Sequence, residues 1–159
     1  MSQIHSIVYT PVTVLEKSPD HYDRAPLQEA VLIAGHGING DRKGGNPKRQ
    51  LNIMCYETLQ GLGGEGFHVA PGEMGEQIVL SGIDLIDLTP GSRVQFGESA
   101  VIEVVEPRNG CDRFEHIQGK APALAKRRLG VMACVVASGA IKVGDAVKVV
   151  EGERVVIGE

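Results

Sequence analysis

No apolar run in this sequence goes far before a glycine or a proline stops it. The 21 glycines and 8 prolines are spread along the 159 residues rather than gathered into a linker. Only 4% of residues are aromatic. Tight turns joining short strands are what such punctuation favours, because glycine and proline set the backbone angles that turns require. Short strands are expected over residues 4–8, 29–34, 78–80, 93–96, 100–105, 130–137, 141–145 and 146–150, with a last edge strand over 154–157. Helical spacing is confined to 56–62, a turn near 114–117 and a helix over 122–129. Strands and helices do not alternate as in a doubly wound fold. The expected fold is mainly β, a closed or nearly closed barrel with two or three short helices, because closure removes exposed strand edges.

A chain of 159 residues suffices for one domain with a sizeable core, so residues 1–159 are expected to form a single unit, its core roughly 29–150. The formal net charge of -4 argues against a general nucleic-acid binder, though not against a local pocket for a small anion. No apolar stretch approaches the roughly 20 residues that cross a bilayer, and the N-terminus lacks the pattern of a signal peptide. A cytoplasmic protein without a membrane span is the expectation. Cys55, Cys111 and Cys134 are widely spaced and form no CxxC pair, which fits neither a disulfide framework nor a structural zinc site. Cys55 and Cys134 are expected to pack as small apolar side chains.

Cys111 is different. It sits in Pro107-Arg108-Asn109-Gly110-Cys111-Asp112-Arg113, after a strand-like run, with an arginine on either side. Nearby positive charge favours a thiolate, which makes Cys111 a reactive-thiol candidate; the alternative is an inert cysteine beside two solvated arginines. A second candidate is the loop from Gly35 to Gly45, which contains Gly40, Asp41 and Arg42. Its glycines let backbone N–H groups approach an anion, yet no Gly-Lys-Ser/Thr follows, so it is no P-loop. A third is Pro71-Gly72-Glu73-Met74-Gly75-Glu76-Gln77, where Glu76 and Gln77 are either solvated turn residues or an acceptor and an amide lining a site. The basic run Lys126-Arg127-Arg128 reads as a solvated helix end.

The order of these motifs resembles the MOSC domain, named after the C-terminal region of molybdenum-cofactor sulfurases. Gly37-Ile38-Asn39-Gly40-Asp41-Arg42, Arg49-Gln50, Pro71-Gly72-Glu73-Met74-Gly75-Glu76 and Gly82-Ile83-Asp84-Leu85 come first. Pro90-Gly91, Gly97-Glu98, Pro107-Arg108 with Cys111, Gly130-Val131 with Ala133, and Ile141 with Gly144-Asp145 follow. The resemblance implies a barrel-like domain that handles the pyranopterin molybdenum cofactor, with Cys111 as a metal ligand or a persulfide carrier. It implies that Arg108 and Arg113 supply a positive field. Gly40, Asp41, Arg42, Arg49, Glu76 and Gln77 then contact the cofactor, Arg42 and Arg49 being placed for its phosphate. Two positions depart from the family pattern: Gln77 stands where asparagine is common, and Gly110 where proline commonly precedes the cysteine.

Two functions follow from that resemblance. One is a small molybdoenzyme reducing N-hydroxylated compounds with electrons from a separate reductase, or a cofactor or sulfur carrier serving a cofactor-dependent enzyme. The other is a non-catalytic module that uses the barrel to recognise a partner protein or another anionic ligand. No aminotransferase-like domain with a PLP lysine is present in the sequence, so the chain is not expected to draw sulfur from cysteine by itself.

Overall fold

The computed structural model describes residues 1–152. Its elements are mainly strands: β1 (Gln3–Tyr9), β2 (Ala25–Leu27), β3 (Glu29–Ile33), β4 (Gly37–Ile38), β5 (Leu51–Cys55), β6 (Ile78–Ser81), β7 (Arg93–Phe96), β8 (Ala100–Pro107), β9 (Val131–Ala137), β10 (Gly139–Lys142) and β11 (Val147–Glu151). Two helices interrupt them, α1 (Tyr56–Gly64) and α2 (Asp112–Gln118), with short 3-10 turns at Leu85–Asp87 and Pro122–Ala125. The strand expected over 154–157 lies outside the described residues.

Eight strands form one sheet in the order β11-β7-β8-β9-β5-β6-β1-β2, and β10-β3-β4 form a second. Every pairing is antiparallel except β5 with β6. A parallel neighbour needs a crossover, and α1 with the loop after it supplies one. Because that crossover covers the sheet, β5 and β6 are buried on both faces. Ile53 and Ile78 point into the main core, while Met54 and Val79 point into a second cluster with Leu59, Leu62, Met74 and Phe114. This explains the unbroken apolar run Ile78-Val79-Leu80, since a strand covered on both sides has no polar face to show. β8 instead alternates, with Ala100, Ile102 and Val104 inside and the residues between them half-exposed.

The mainly β expectation holds, but the ladders do not run round as a continuous barrel. The eight-stranded sheet keeps two ends, β2 and β11. Three hydrogen bonds stitch β1 to the segment entering β11: Ile4 N to Asp145 O at 2.9 Å, Gly144 N to Ile4 O at 2.8 Å and Val147 N to Ser2 O at 3.0 Å. They satisfy edge groups that would otherwise face water, doing locally what closure does throughout a barrel.

Three local expectations are corrected. The helix over 122–129 is a single 3-10 turn, because burying both Ala125 and Leu129 on the way into β9 puts Lys126 and Arg127 in a tight turn, with Arg127 at a φ of 65°. Tertiary packing here outweighs the helix preference of Ala-Leu-Ala-Lys. The strand expected over 141–145 is shifted, since β10 already begins at Gly139 and ends at Lys142. Cys134, expected in the core, is only half-buried on β9, opposite Glu103.

Gly130 fixes how β9 meets β5. Its φ is 72°, and a Cβ there would come within 1.9 Å of the Ile53 carbonyl oxygen. Only glycine lets the two backbones approach that closely. The Gly130 carbonyl accepts a hydrogen bond from Arg108 N at 2.9 Å, so the same contact positions the end of β8.

Candidate functional site

Cys111 is exposed and occupies the cap position of α2, where its carbonyl accepts from Glu115 N at 3.0 Å. The helix is anchored by Phe114, fully buried against Phe67 with ring centroids 6.3 Å apart. Burying such a ring contributes about 2 kcal/mol, enough to hold a seven-residue helix that would not form alone. At Gly110 a Cβ would meet Pro122 Cβ at 2.6 Å and Phe114 Cδ1 at 3.1 Å. The space a side chain at 110 would need is thus taken by Pro122 and Phe114.

Arg108, at the end of β8, is 8% exposed. Its guanidinium lies 6.0 Å from the centroid of the Phe114 ring, and its Nη1 is buried without a hydrogen-bond partner. Burial lowers its affinity for a proton, while Tyr22, Glu76 and the Cys111 thiol act in the opposite sense. The Tyr22 hydroxyl is likewise buried, beside the Arg108 guanidinium that it stabilises, and burial pushes its pKa up. Gly75 makes room for both. Its φ is 84°, and a Cβ there would lie 2.6 Å from Arg108 Nη2 and 2.9 Å from Tyr22 Cζ.

Tyr22 belongs to a strap, residues 16–23, that crosses in front of α2. Asp23 holds the strap's start, accepting from Ser18 N and Ser18 Oγ. Arg113 holds it from the helix side, donating from Nη2 to the carbonyls of Ser18 and His21, each at 3.1 Å, with its guanidinium 4.9 Å from the Tyr22 ring centroid. Arg24 follows and ties the strap to β1 and to the signature turn, residues 71–77, donating to Thr10 Oγ1 and to Gly75 O at 2.8 Å.

A cavity of about 180 Å³ opens beside this strap, lined by Thr10, Lys17, Asp23, Arg24, Arg42, Lys43 and Arg113. Five of the lining residues are basic and one is acidic. None of the five, nor Arg108, forms an ion pair with a carboxylate among the described residues. Arg42 spends a guanidinium nitrogen on Leu15 O at 2.7 Å. Lys43 has its pKa lowered to about 8, first by burial and then by the neighbouring charges of Arg24 and Arg108. In a protein of net charge -4, this is concentrated positive charge only partly offset by Asp23, Asp41 and Glu76.

Asp41, Glu76 and Gln77 do something else. Asp41 Oδ1 accepts from Thr10 N at 3.1 Å, and its Oδ2 accepts from Gln77 Nε2 at 3.1 Å. Gln77 Oε1 accepts from Asn52 N at 2.8 Å. Glu76 accepts from Gly72 N at 2.8 Å and Met74 N at 3.2 Å, closing the signature turn on itself, and burial pushes its pKa up. All three side chains are buried, and each forms hydrogen bonds within the protein. Their place is behind the cleft, where they hold the loop after β4 and the turn before β6 against the end of β1.

The expected site residues therefore divide. Arg42 and Arg113 line the cleft; Arg108 lies close enough to oppose the charge of Lys43, and Cys111 is exposed at the start of α2, outside the lining. Asp41, Glu76 and Gln77 form the support. Gly40 turns the loop at the surface, with φ 84° and Tyr9 beside it. Arg49 is exposed and outside the cleft lining; its backbone N–H caps onto Asn46 Oδ1 at 3.1 Å. Arg24, Lys43, Lys17 and Tyr22 escaped the sequence reading. Lys43 follows Arg42 directly in the glycine loop and was the nearest to being legible. Among the described residues no group of three or more His, Cys, Asp or Glu side chains is placed to hold a metal ion. No helix is long and apolar enough to cross a membrane.

The fold has solved counterparts. The YUAD protein from Bacillus subtilis superposes with a TM-score of 0.72 at 21% identity, over 92% of this chain and 94% of that one. YiiM from Geobacillus stearothermophilus gives 0.71 at 19% identity, covering 95% and 76%. YiiM from Escherichia coli gives 0.69 at 22% identity, covering 98% and 71%. No curated protein matches the sequence. The sequence profile of the MOSC domain matches residues 40–148, which runs from the glycine loop through the signature turn and Cys111 to β11. By that match, the chain belongs to the MOSC domain family.

Proposed function

We propose that this protein binds the molybdenum cofactor, with Cys111 as its one protein ligand to the metal and the cationic cleft as the seat of the cofactor's phosphate. The observation that carries this reading is Arg108 Nη1, a buried cationic nitrogen with no hydrogen-bond acceptor, close enough to oppose the charge of Lys43 in a cleft whose lining cations form no ion pairs among the described residues. An unpaired buried charge costs several kcal/mol, roughly, unless a ligand supplies the opposite sign. A phosphate-bearing ligand does so by charge-assisted hydrogen bonds. A soft thiolate suits molybdenum better than oxygen ligands alone, and Cys111 is exposed at the start of α2, the helix whose Arg113 lines the cleft.

When bound, the cofactor would supply a two-electron redox centre, which fits reduction of N-hydroxylated compounds fed by a separate reductase. The chain's own residues bind and orient. Arg108, Arg42 and Arg113 hold negative charge, Tyr22 offers its hydroxyl, and the buried knot of Asp41, Glu76 and Gln77 keeps the walls in place. The exposure of Cys111 favours a second use of the same site, carriage of sulfur as a persulfide to a partner enzyme.

Native mass spectrometry with metal analysis tests the reading on protein from a host competent in cofactor synthesis. The wild type should carry pterin mass and molybdenum, and Cys111→Ser should lose the metal. Identical metal-free masses for both proteins would refute cofactor binding. Reductase-dependent turnover would favour the enzyme; persulfide on Cys111 without turnover would favour the carrier.

A further inference from the structure

Lys43 is the cleft cation with least support. Asp41, two residues away, favours the Lys43 charge but forms no ion pair with it; its oxygens accept from Thr10 N and Gln77 Nε2. Asp23, the acidic residue in the cleft lining, is engaged by Ser18 and lies 3.3 Å from His21 Nε2. Every other charged group facing Lys43 is positive: Lys17 from the strap, Arg24 before β2, Arg42 beside it in the loop, Arg108 from β8 and Arg113 from α2. The arginines keep their charge at any working pH, so the amine is the group that can relieve the repulsion by giving up a proton.

We propose that oxyanion binding in this cleft takes up a proton, with Lys43 as the group that receives it. In the empty cleft repulsion and burial both oppose the charge, so the amine gives up its proton around pH 8 rather than near 10.5. An oxyanion among these side chains reverses the balance and holds Lys43 as an ammonium, the proton coming from solvent. Binding and protonation are then linked, and each strengthens the other. This rests on the anion-binding part of the proposed function and not on metal ligation by Cys111. The ligand class is a phosphate monoester or a free oxyanion of similar size, the sources being told apart by the cofactor analysis above.

Sulfate is the probe, because its own charge does not change between pH 7 and 9. Calorimetric titration at fixed ionic strength should show affinity falling about tenfold from pH 7 to pH 9, following the ammonium fraction of a lysine near 8. At pH 8 the heat should vary with the ionisation enthalpy of the buffer, reporting uptake of roughly half a proton. Lys43→Arg should bind sulfate with no pH slope and no buffer dependence; Lys43→Met should bind weakly and equally flatly. A wild-type isotherm independent of pH and buffer overturns the proposal. So does an unchanged slope in Lys43→Arg, a slope that vanishes in Cys111→Ser, or no sulfate binding at all. Protein that binds sulfate as described yet never acquires cofactor loses the cofactor reading and keeps this one. Protein that retains cofactor but gives a flat sulfate profile does the reverse.

Discussion

Two groups of polar side chains lie on either side of the glycine loop, and they are built on opposite principles. Behind the loop, Asp41, Gln77 and Glu76 sit fully inside the protein, and their hydrogen bonds run back into the backbone of their own surroundings. In front of it, Lys17, Arg24, Arg42, Lys43, Arg108 and Arg113 gather without a carboxylate partner. Both groups are unusual for residues that normally face water. The first has spent its capacity on holding the fold, while in the second Arg24 and Arg113 also tie down backbone carbonyls and Arg108 Nη1 keeps capacity for a ligand. Burial and polarity do not identify a binding residue; unspent hydrogen-bonding capacity does.

Substitutions should separate the two groups by what they change. Gln77→Leu should have the largest effect, because it strands both Asn52 N and the Asp41 carboxylate inside the protein. A loss of about 3 kcal/mol is expected, read as a fall in Tm of about 10 °C by thermal denaturation. If Gln77→Leu lost anion binding with no loss of stability, the knot would belong with the cleft.

Lys43→Met should act in the opposite direction. The folded-state pKa of Lys43 lies below its ordinary value of 10.5, so the folded protein is penalised for its charge below about pH 8. That penalty fades as pH rises towards 10.5, where the unfolded chain also gives up the proton. The variant should therefore be more stable by about 2 kcal/mol at pH 7 and no different by about pH 10.5, as measured by urea denaturation across that range.

Arg113→Ala should cost about 1 kcal/mol and mainly loosen the strap, since it removes two hydrogen bonds to backbone carbonyls and the stacking on Tyr22. Limited proteolysis should find new cleavage within residues 16–23 while the rest of the chain stays resistant. Arg49→Ala should be the smallest, within about 0.5 kcal/mol of wild type and with unchanged sulfate affinity. A strong loss of anion binding in Arg49→Ala would enlarge the cleft beyond the side chains that line it here.

Much of the strand content was legible because its causes are local. Glycine and proline mark the ends of β7 and β8, and the alternation along Ala100 to Val105 shows which face is buried. The segment after Pro122 misled because local preference and tertiary demand conflict there. Ala-Leu-Ala-Lys favours a helix, while the burial of Leu129 requires the chain to turn early into β9. The candidate site was legible only where its residues carry the motifs. Arg24 and Tyr22 arrive from a polar loop with no pattern of its own, and their value comes from the distant contacts with Gly75 and Arg108. Asp41 and Gln77 stood out in the sequence, but nothing in it shows that they are bonded to each other.

Gly130 has a bearing on how this site can vary among descendants of the chain. The backbone of Arg108 is hung from the carbonyl of a residue that has no side chain to spare, pressed against Ile53. Any larger residue at 130 must spread β9 from β5 and carry the buried guanidinium with it, so a mutation outside the cleft would retune the cleft's charge. Random mutagenesis aimed at new ligand preference could thus recover hits at a position that touches no ligand. A designer wanting to move the cleft's deepest cation by a fraction of an ångström would start at that strand crossing.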